Sequence, residues 1–115
     1  MAKRDVEIWH NPRCSKSRQT LALLEEKGIE PTVVRYLDDP PSKNRLKTIA
    51  KLLGGPENLV RRKEAAFKER ELKGATKAQL IEAMAEEPKL IERPVVITAK
   101  GARIGRPPER VLEVL

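Results

Sequence analysis

Cys14 is the only cysteine among 115 residues, and it sits in the run Trp9-His10-Asn11-Pro12-Arg13-Cys14-Ser15-Lys16-Ser17-Arg18. A short apolar stretch with Val6 and Ile8 leads into this run, and an amphipathic pattern leaves it. The thiol is therefore predicted at or beside a helix N-terminus. Unsatisfied backbone N–H groups and the positive end of the helix dipole favour a thiolate there. Arg13, Lys16 and Arg18 add positive charge in the same direction. An ordinary thiol, with a pKa of about 8.5, is only about a few per cent ionised at pH 7, so a nucleophilic cysteine needs such help. A lone cysteine in an apolar setting is an inert core residue, but these polar and basic neighbours argue against that setting. Ser17 stands where a C-x-x-C pair would carry its second cysteine, so any resolving thiol must come from another molecule.

The elements that must hold this thiol can be read from the pattern. Val6 to Trp9 alternates as a short strand, Ser15 to Lys27 carries a helical stripe (Leu21, Ala22, Leu24) that Gly28 stops, and Thr32 to Tyr36 is a β-branched strand. Strand, helix, strand in about thirty residues is a βαβ unit with an expected right-handed crossover. Ser42 then caps a helix with Leu46, Ile49, Ala50 and Leu53 on one face. Residues 57–73 are charged and are expected to form one or two short helices around Leu59, Val60 and Phe67. Thr76 to Gln79 fits a capping box for a helix with Leu80, Ile81 and Met84. Pro94 to Thr98 and Ala102 to Ile104 read as a hairpin about Lys100-Gly101. Pro107-Pro108 opens a final helix that would bury Val111, Leu112 and Leu115. The order is β-α-β, inserted helices, then β-β-α. It predicts an α/β, thioredoxin-like fold with a small mixed sheet, a single domain over 1–115 with a helical insert at about 42–88. Pro94 falls where that fold carries a cis-proline facing its thiol.

Composition narrows the partners. The balance of 24 Lys+Arg against 17 Asp+Glu gives a formal charge of +7 and favours anions. No zinc-finger spacing, aromatic stacking pattern or long basic block points to nucleic acid, and none is expected as a partner. One cysteine and one histidine are too few for the usual N/S metal site, so no metal is expected. Gly54-Gly55-Pro56 does not match nucleotide-binding spacing. The apolar stretches are too short for a bilayer, and no signal pattern is visible, which predicts a cytoplasmic protein with no membrane partner. No extended apolar patch can be read from the pattern, so a monomer is expected.

The run His10-Asn11-Pro12-x-Cys14-x-x-Ser17-Arg18-x-Thr20-Leu21 resembles the arsenate reductase family that uses glutathione and glutaredoxin. Three further segments agree in the same order: Leu59-Val60-Arg61-Arg62-Lys63, Leu90-Ile91-Glu92-Arg93-Pro94-Val95-Val96 and Gly105-Arg106-Pro107-Pro108-Glu109. The likeness runs from about Val6 to Leu115 and is nearest the short chromosomal members. It implies Cys14 as nucleophile and His10 as the group that activates it. It also implies Arg61 (or its neighbour Arg62), Arg93 and Arg106 as the guanidiniums holding the oxyanion and the covalent arsenic intermediates. Ser17 is expected beside them, donating to the sulfur or capping the helix start.

That resemblance implies a reaction. Cys14 attacks arsenic, glutathione displaces a second oxygen, As(V) becomes As(III), and glutaredoxin resolves the mixed disulfide. No bound cofactor is expected, since glutathione enters as a co-substrate. Arginines suit the task because a planar guanidinium grips two oxygens and offsets the charge of thiolate meeting oxyanion. Two other readings compete. Spx-like regulators share the domain and bind RNA polymerase, but they carry the C-x-x-C switch that Ser17 interrupts here. A glutathione-dependent thiol oxidoreductase acting on another substrate needs the cysteine but not the three arginines.

Overall fold

The computed structural model describes residues 5–115. Its contacts separate two compact units, one built from the chain up to Asp39 together with Arg93–Leu115, the other from Pro40–Glu92. The second unit, Pro40–Glu92, contains the stretch expected as a helical insert at about 42–88.

The first unit holds β1 (Glu7–Trp9), α1 (Ser15–Glu26), β2 (Thr32–Val34), β3 (Val95–Thr98) and β4 (Gly101–Ile104). The sheet order is β2-β1-β3-β4, with β1 parallel to β2 and β3 antiparallel to both β1 and β4. A parallel pair needs a crossover and α1 supplies it; an antiparallel pair needs only the tight turn before Gly101. This is the expected mixed sheet of a thioredoxin-like fold. Gly28, at a φ of +77°, ends α1 in a conformation that a side chain disfavours. β2 stops at Val34, two residues earlier than expected. Tyr36 lies beyond it as a buried anchor at 1% exposure, and the backbone turns there, with Asp38 and Asp39 N–H groups both bonded to the Arg35 carbonyl.

Val6, Ile8, Leu24, Val96, Val111 and Val114 form the core of this unit, each burial contributing about 1.5–3 kcal/mol. Two details differ from expectation. The final helix, Pro108–Val114, is 3₁₀ rather than α. Three residues per turn align Pro108, Val111 and Val114, so Val114 takes the inward place expected for Leu112, which is 39% exposed. The buried face of α1 is Ser17, Thr20 and Leu24, while Ala22 is exposed. Two of those three inward positions are polar, because this face serves the thiol as well as the core.

In the second unit, α2 (Lys43–Leu52) starts at Ser42, whose Oγ accepts from the Arg45 N–H at 3.1 Å. A 3₁₀ turn covers Pro56–Asn58, α3 spans Ala65–Glu69 and α4 spans Lys77–Glu86. The capping box at Thr76 and Gln79 is formed in both directions. Leu46, Ile49 and Ala50 of α2 are buried, as are Leu80, Ile81 and Met84 of α4, and the two helices pack together. Leu59 and Val60 are not helical. Val60 bridges Ile91, and the Arg61 and Glu92 N–H groups reach the Leu90 and Leu59 carbonyls at 2.7 Å each. Two β-branched residues in register prefer this extended pairing. Among the described residues no helix is long and apolar enough to cross a membrane.

Candidate active site

Cys14 is the N-cap of α1, in extended backbone at φ −93° and ψ 122°, and its side chain makes no capping hydrogen bond. The first turn of α1 carries Lys16 and Arg18 and no carboxylate. Helix starts prefer the opposite charge, so this end is left for an anion from elsewhere, the thiolate or a ligand beside it. The loop before it is closed by Asn11: its carbonyl accepts the Cys14 N–H at 3.0 Å and its Oδ1 accepts the Arg13 N–H at 3.0 Å. Asx turns of this kind are what Asn-Pro after a strand favours.

Burial pushes the Cys14 thiol up. That is outweighed by the Ser17 backbone N–H, the Arg93 charge, the Lys16 backbone N–H and the Arg106 guanidinium, so the thiol titrates below its ordinary range. Arg106 Nη1 lies 3.8 Å from the Cys14 Sγ and also donates to the Arg93 carbonyl at 3.4 Å. The Arg93–Pro94 and Arg106–Pro107 bonds are both cis, and the Gly105 N–H bonds the Pro94 carbonyl at 3.0 Å. Sheet neighbours β3 and β4 thus deliver one arginine each, at adjacent strand ends, to the start of α1.

The Ser17 hydroxyl is engaged away from the sulfur. It accepts the Asn11 N–H at 3.0 Å and lies 2.6 Å from His10 Nδ1. Which of the two groups donates in that 2.6 Å contact is set by the ring tautomer, since the hydroxyl can also accept a second N–H. Burial, then Arg35 and Arg18, hold His10 below its ordinary pKa and favour the uncharged imidazole. His10 is buried at 7% exposure and Ser17 at 0%. It is therefore the Ser17 backbone N–H, not its hydroxyl, that acts on the thiol, and His10 is tied to the thiol turn through Ser17.

Cys14, His10, Ser17, Arg93 and Arg106 all lie in the first unit. Arg61 lies in the second, where Nη1 pairs with Glu64 Oε2 at 3.1 Å and reaches the Lys89 carbonyl at 3.4 Å. Arg62 stacks over the Phe67 ring at 5.9 Å.

Two residues of those motifs to which no role was given, Gly105 and Thr20, shape the site. A Cβ on Gly105 would sit 2.5 Å from Thr20 Oγ1 and 2.9 Å from Pro94 Cγ. Thr20 is fully buried and donates to the Lys16 carbonyl at 2.8 Å. Only glycine lets the end of β4 lie this close to α1, and Arg106 is the next residue. Gly105→Ala is expected to cost about 1–3 kcal/mol of stability by overpacking. Adding Thr20→Ala is expected to restore part of that in urea unfolding; a Gly105→Ala protein as stable as wild type sinks the argument.

A pH prediction follows from the thiol. Thiolate is the reactive form, so alkylation of Cys14 by iodoacetamide is expected to persist at pH values where free glutathione has stopped reacting. It should fall only as pH drops through the depressed value. The linked stability has the same sign, present above the ordinary thiol pKa and lost on that descent. A profile superimposable on that of glutathione contradicts it.

Comparison with known proteins places these features. Residues 9–114 match the ArsC family. An arsenate reductase of Haemophilus influenzae is 49% identical over 114 residues, covering 96% of this chain and 98% of that protein. An arsenate reductase of Neisseria meningitidis serogroup A is 44% identical over 115 residues, with 96% and 98% covered. The solved structure of an arsenate reductase from Vibrio cholerae superposes with a TM-score of 0.94 at 50% identity, over 100% of both chains.

Proposed function

This chain belongs to the ArsC family, and we propose that it reduces arsenate to arsenite at Cys14, with electrons from glutathione and glutaredoxin. The observation that carries the reading is the depressed thiol at the start of α1 with the Arg106 guanidinium 3.8 Å from its sulfur. A tetrahedral oxyanion approaching that sulfur meets fixed positive charge from Arg106, Arg93 and the helix start. Such charge lowers the barrier most when it is already in place.

The Cys14 thiolate attacks arsenic; a sulfur–arsenic bond forms and one arsenic–oxygen bond breaks, the oxygen leaving as water after taking up protons. The thiol of glutathione replaces a second oxygen in the same way. A glutaredoxin thiolate then attacks the glutathione sulfur. A disulfide forms, the electron pair of the arsenic–sulfur bond stays on arsenic, and As(V) becomes As(III). Water finally cleaves the Cys14–arsenic bond, releasing arsenite and restoring the thiolate. Arg106 and Arg93 hold the oxyanion through the first two steps. His10 holds Ser17 and with it the N–H that faces the sulfur. The external thiols stand in for the second cysteine that Ser17 replaces, and a dependence on them supports a reducing, cytoplasmic location.

The test is a coupled assay of NADPH oxidation with glutathione, glutathione reductase, glutaredoxin and arsenate. Arsenate-dependent turnover that stops when either glutathione or glutaredoxin is left out is the expected result. No arsenate-dependent oxidation from a protein whose Cys14 still titrates low overturns the reading and assigns the thiol another substrate.

A further inference from the structure

Beside the thiol turn, still within the first unit, lies a polar groove of about 220 Å³. One wall is the loop after β1, through His10, Asn11 and Arg13; the other is the turn after β2, through Arg35 and Asp38. The mechanism uses none of its charged groups. We propose that this groove holds the glycyl carboxylate of the peptide thiol that attacks at Cys14, gripped by Arg13 and Arg35. The proposal rests on the reading that a glutathione-class thiol is the co-substrate, and names where that molecule is recognised.

Three observations carry it. First, position: Asn11 belongs both to the groove wall and to the turn that accepts the Cys14 N–H at 3.0 Å, so groove and thiol share one short piece of backbone. A cysteine and the carboxylate of the residue after it are separated by at most about 7 Å of chain, which suits neighbouring rather than distant subsites. Second, size: pockets that enclose whole ligands run to roughly 300–1000 Å³, so this one suits a terminal residue and its hydration, not an entire tripeptide. Third, charge: two arginines and one aspartate line the groove, Arg13 from one wall and Arg35 with Asp38 from the other. Arg35 Nε meets Asp38 Oδ2 at 3.5 Å, and both side chains are largely exposed. An exposed pair of that length is worth about 0–1 kcal/mol, and a guanidinium has five donors, so Arg35 can take an incoming carboxylate. Arg13 sits across from it with its own N–H fixed by Asn11. Buried His10 forms part of the same wall and is held in place by Ser17.

Blocking the carboxylate tests the proposal. Glutathione and its glycyl ethyl ester differ only there, and wild type is expected to show a KM at least about tenfold higher for the ester. In the Arg13→Gln/Arg35→Gln double variant the two thiols should have the same KM. A ratio within each protein cancels any change in the reactivity of Cys14 itself. A second readout needs no arsenate: the rate of mixed-disulfide formation at Cys14, followed by mass spectrometry, with oxidised glutathione or with hydroxyethyl disulfide. There the Cys14 thiolate attacks one sulfur of the disulfide, a new S–S bond forms and the other half leaves as thiolate. Wild type should favour oxidised glutathione, and the double variant should lose about tenfold of that preference. If arsenate turnover is absent while this preference and its loss persist, the groove stands and the arsenate reading fails. If wild type treats ester and free acid alike, or the double variant keeps the disulfide preference, the proposal is overturned.

Discussion

Cys14→Ser is expected to lower arsenate-dependent turnover by at least about three orders of magnitude while leaving the protein as stable as before, or more so. The two halves of that expectation have separate physical origins. An alcohol is not ionised near neutral pH, and no arrangement of two arginines brings it into range. In the proposed mechanism the covalent bond to arsenic is then lost, and with it every later step. Stability moves the other way. Cys14 is the N-cap of α1, in the extended conformation caps require, yet its sulfur makes no capping bond. Serine is among the preferred caps, and a good cap is worth about 0.5–2 kcal/mol. A protein that unfolds at equal or higher urea concentration but no longer turns over arsenate shows that position 14 is kept as cysteine at the expense of a better cap. Turnover above a tenth of wild type ends the nucleophile assignment.

What sequence made legible here, and what it did not, divides along one line. Cys14 at a helix start could be read because strand, turn and helix are adjacent in the chain, so local pattern alone places the thiol. The mixed sheet followed from element order. The capping box at Thr76 is a four-residue event. The Ser17 hydroxyl was not legible, because its partners His10 and Asn11 depend on how the loop folds back seven residues earlier. Gly105 entered the sequence reading as the first residue of a motif. Its significance lies in the approach of Thr20 and Pro94, which are distant in sequence. Val60 read as helical because its pairing with Ile91 spans thirty-one residues. The last element read as an α-helix since Val111 and Leu115 suit a 3.6-residue period; the 3₁₀ winding instead brings Val111 and Val114 into the cluster with Val6 and Val96, which are distant in sequence.

Arg106→Gln should be the second most damaging change, lowering kcat/KM for arsenate by about 10²–10³, the usual loss when one fixed donor to a developing anion is removed. The side chain acts on two things at once. It lies 3.8 Å from the Cys14 sulfur, and it is tied to the Arg93 carbonyl at 3.4 Å, which fixes where its remaining N–H groups point. Charge on the sulfur and grip on the oxyanion can be told apart with Arg106→Lys. Lysine keeps a positive charge within reach of the thiolate but presents a point charge where the guanidinium offers a planar fork. The glutamine variant should therefore move the alkylation profile of Cys14 to higher pH, since one of the influences that lower the thiol is gone. The lysine variant should leave that profile near wild type and still lose most of the arsenate kcat/KM. If both variants shift the thiol and activity in parallel, Arg106 serves the sulfur alone and the oxyanion is held by other groups. If the glutamine variant retains wild-type kcat/KM, its place beside Cys14 is incidental to the reaction.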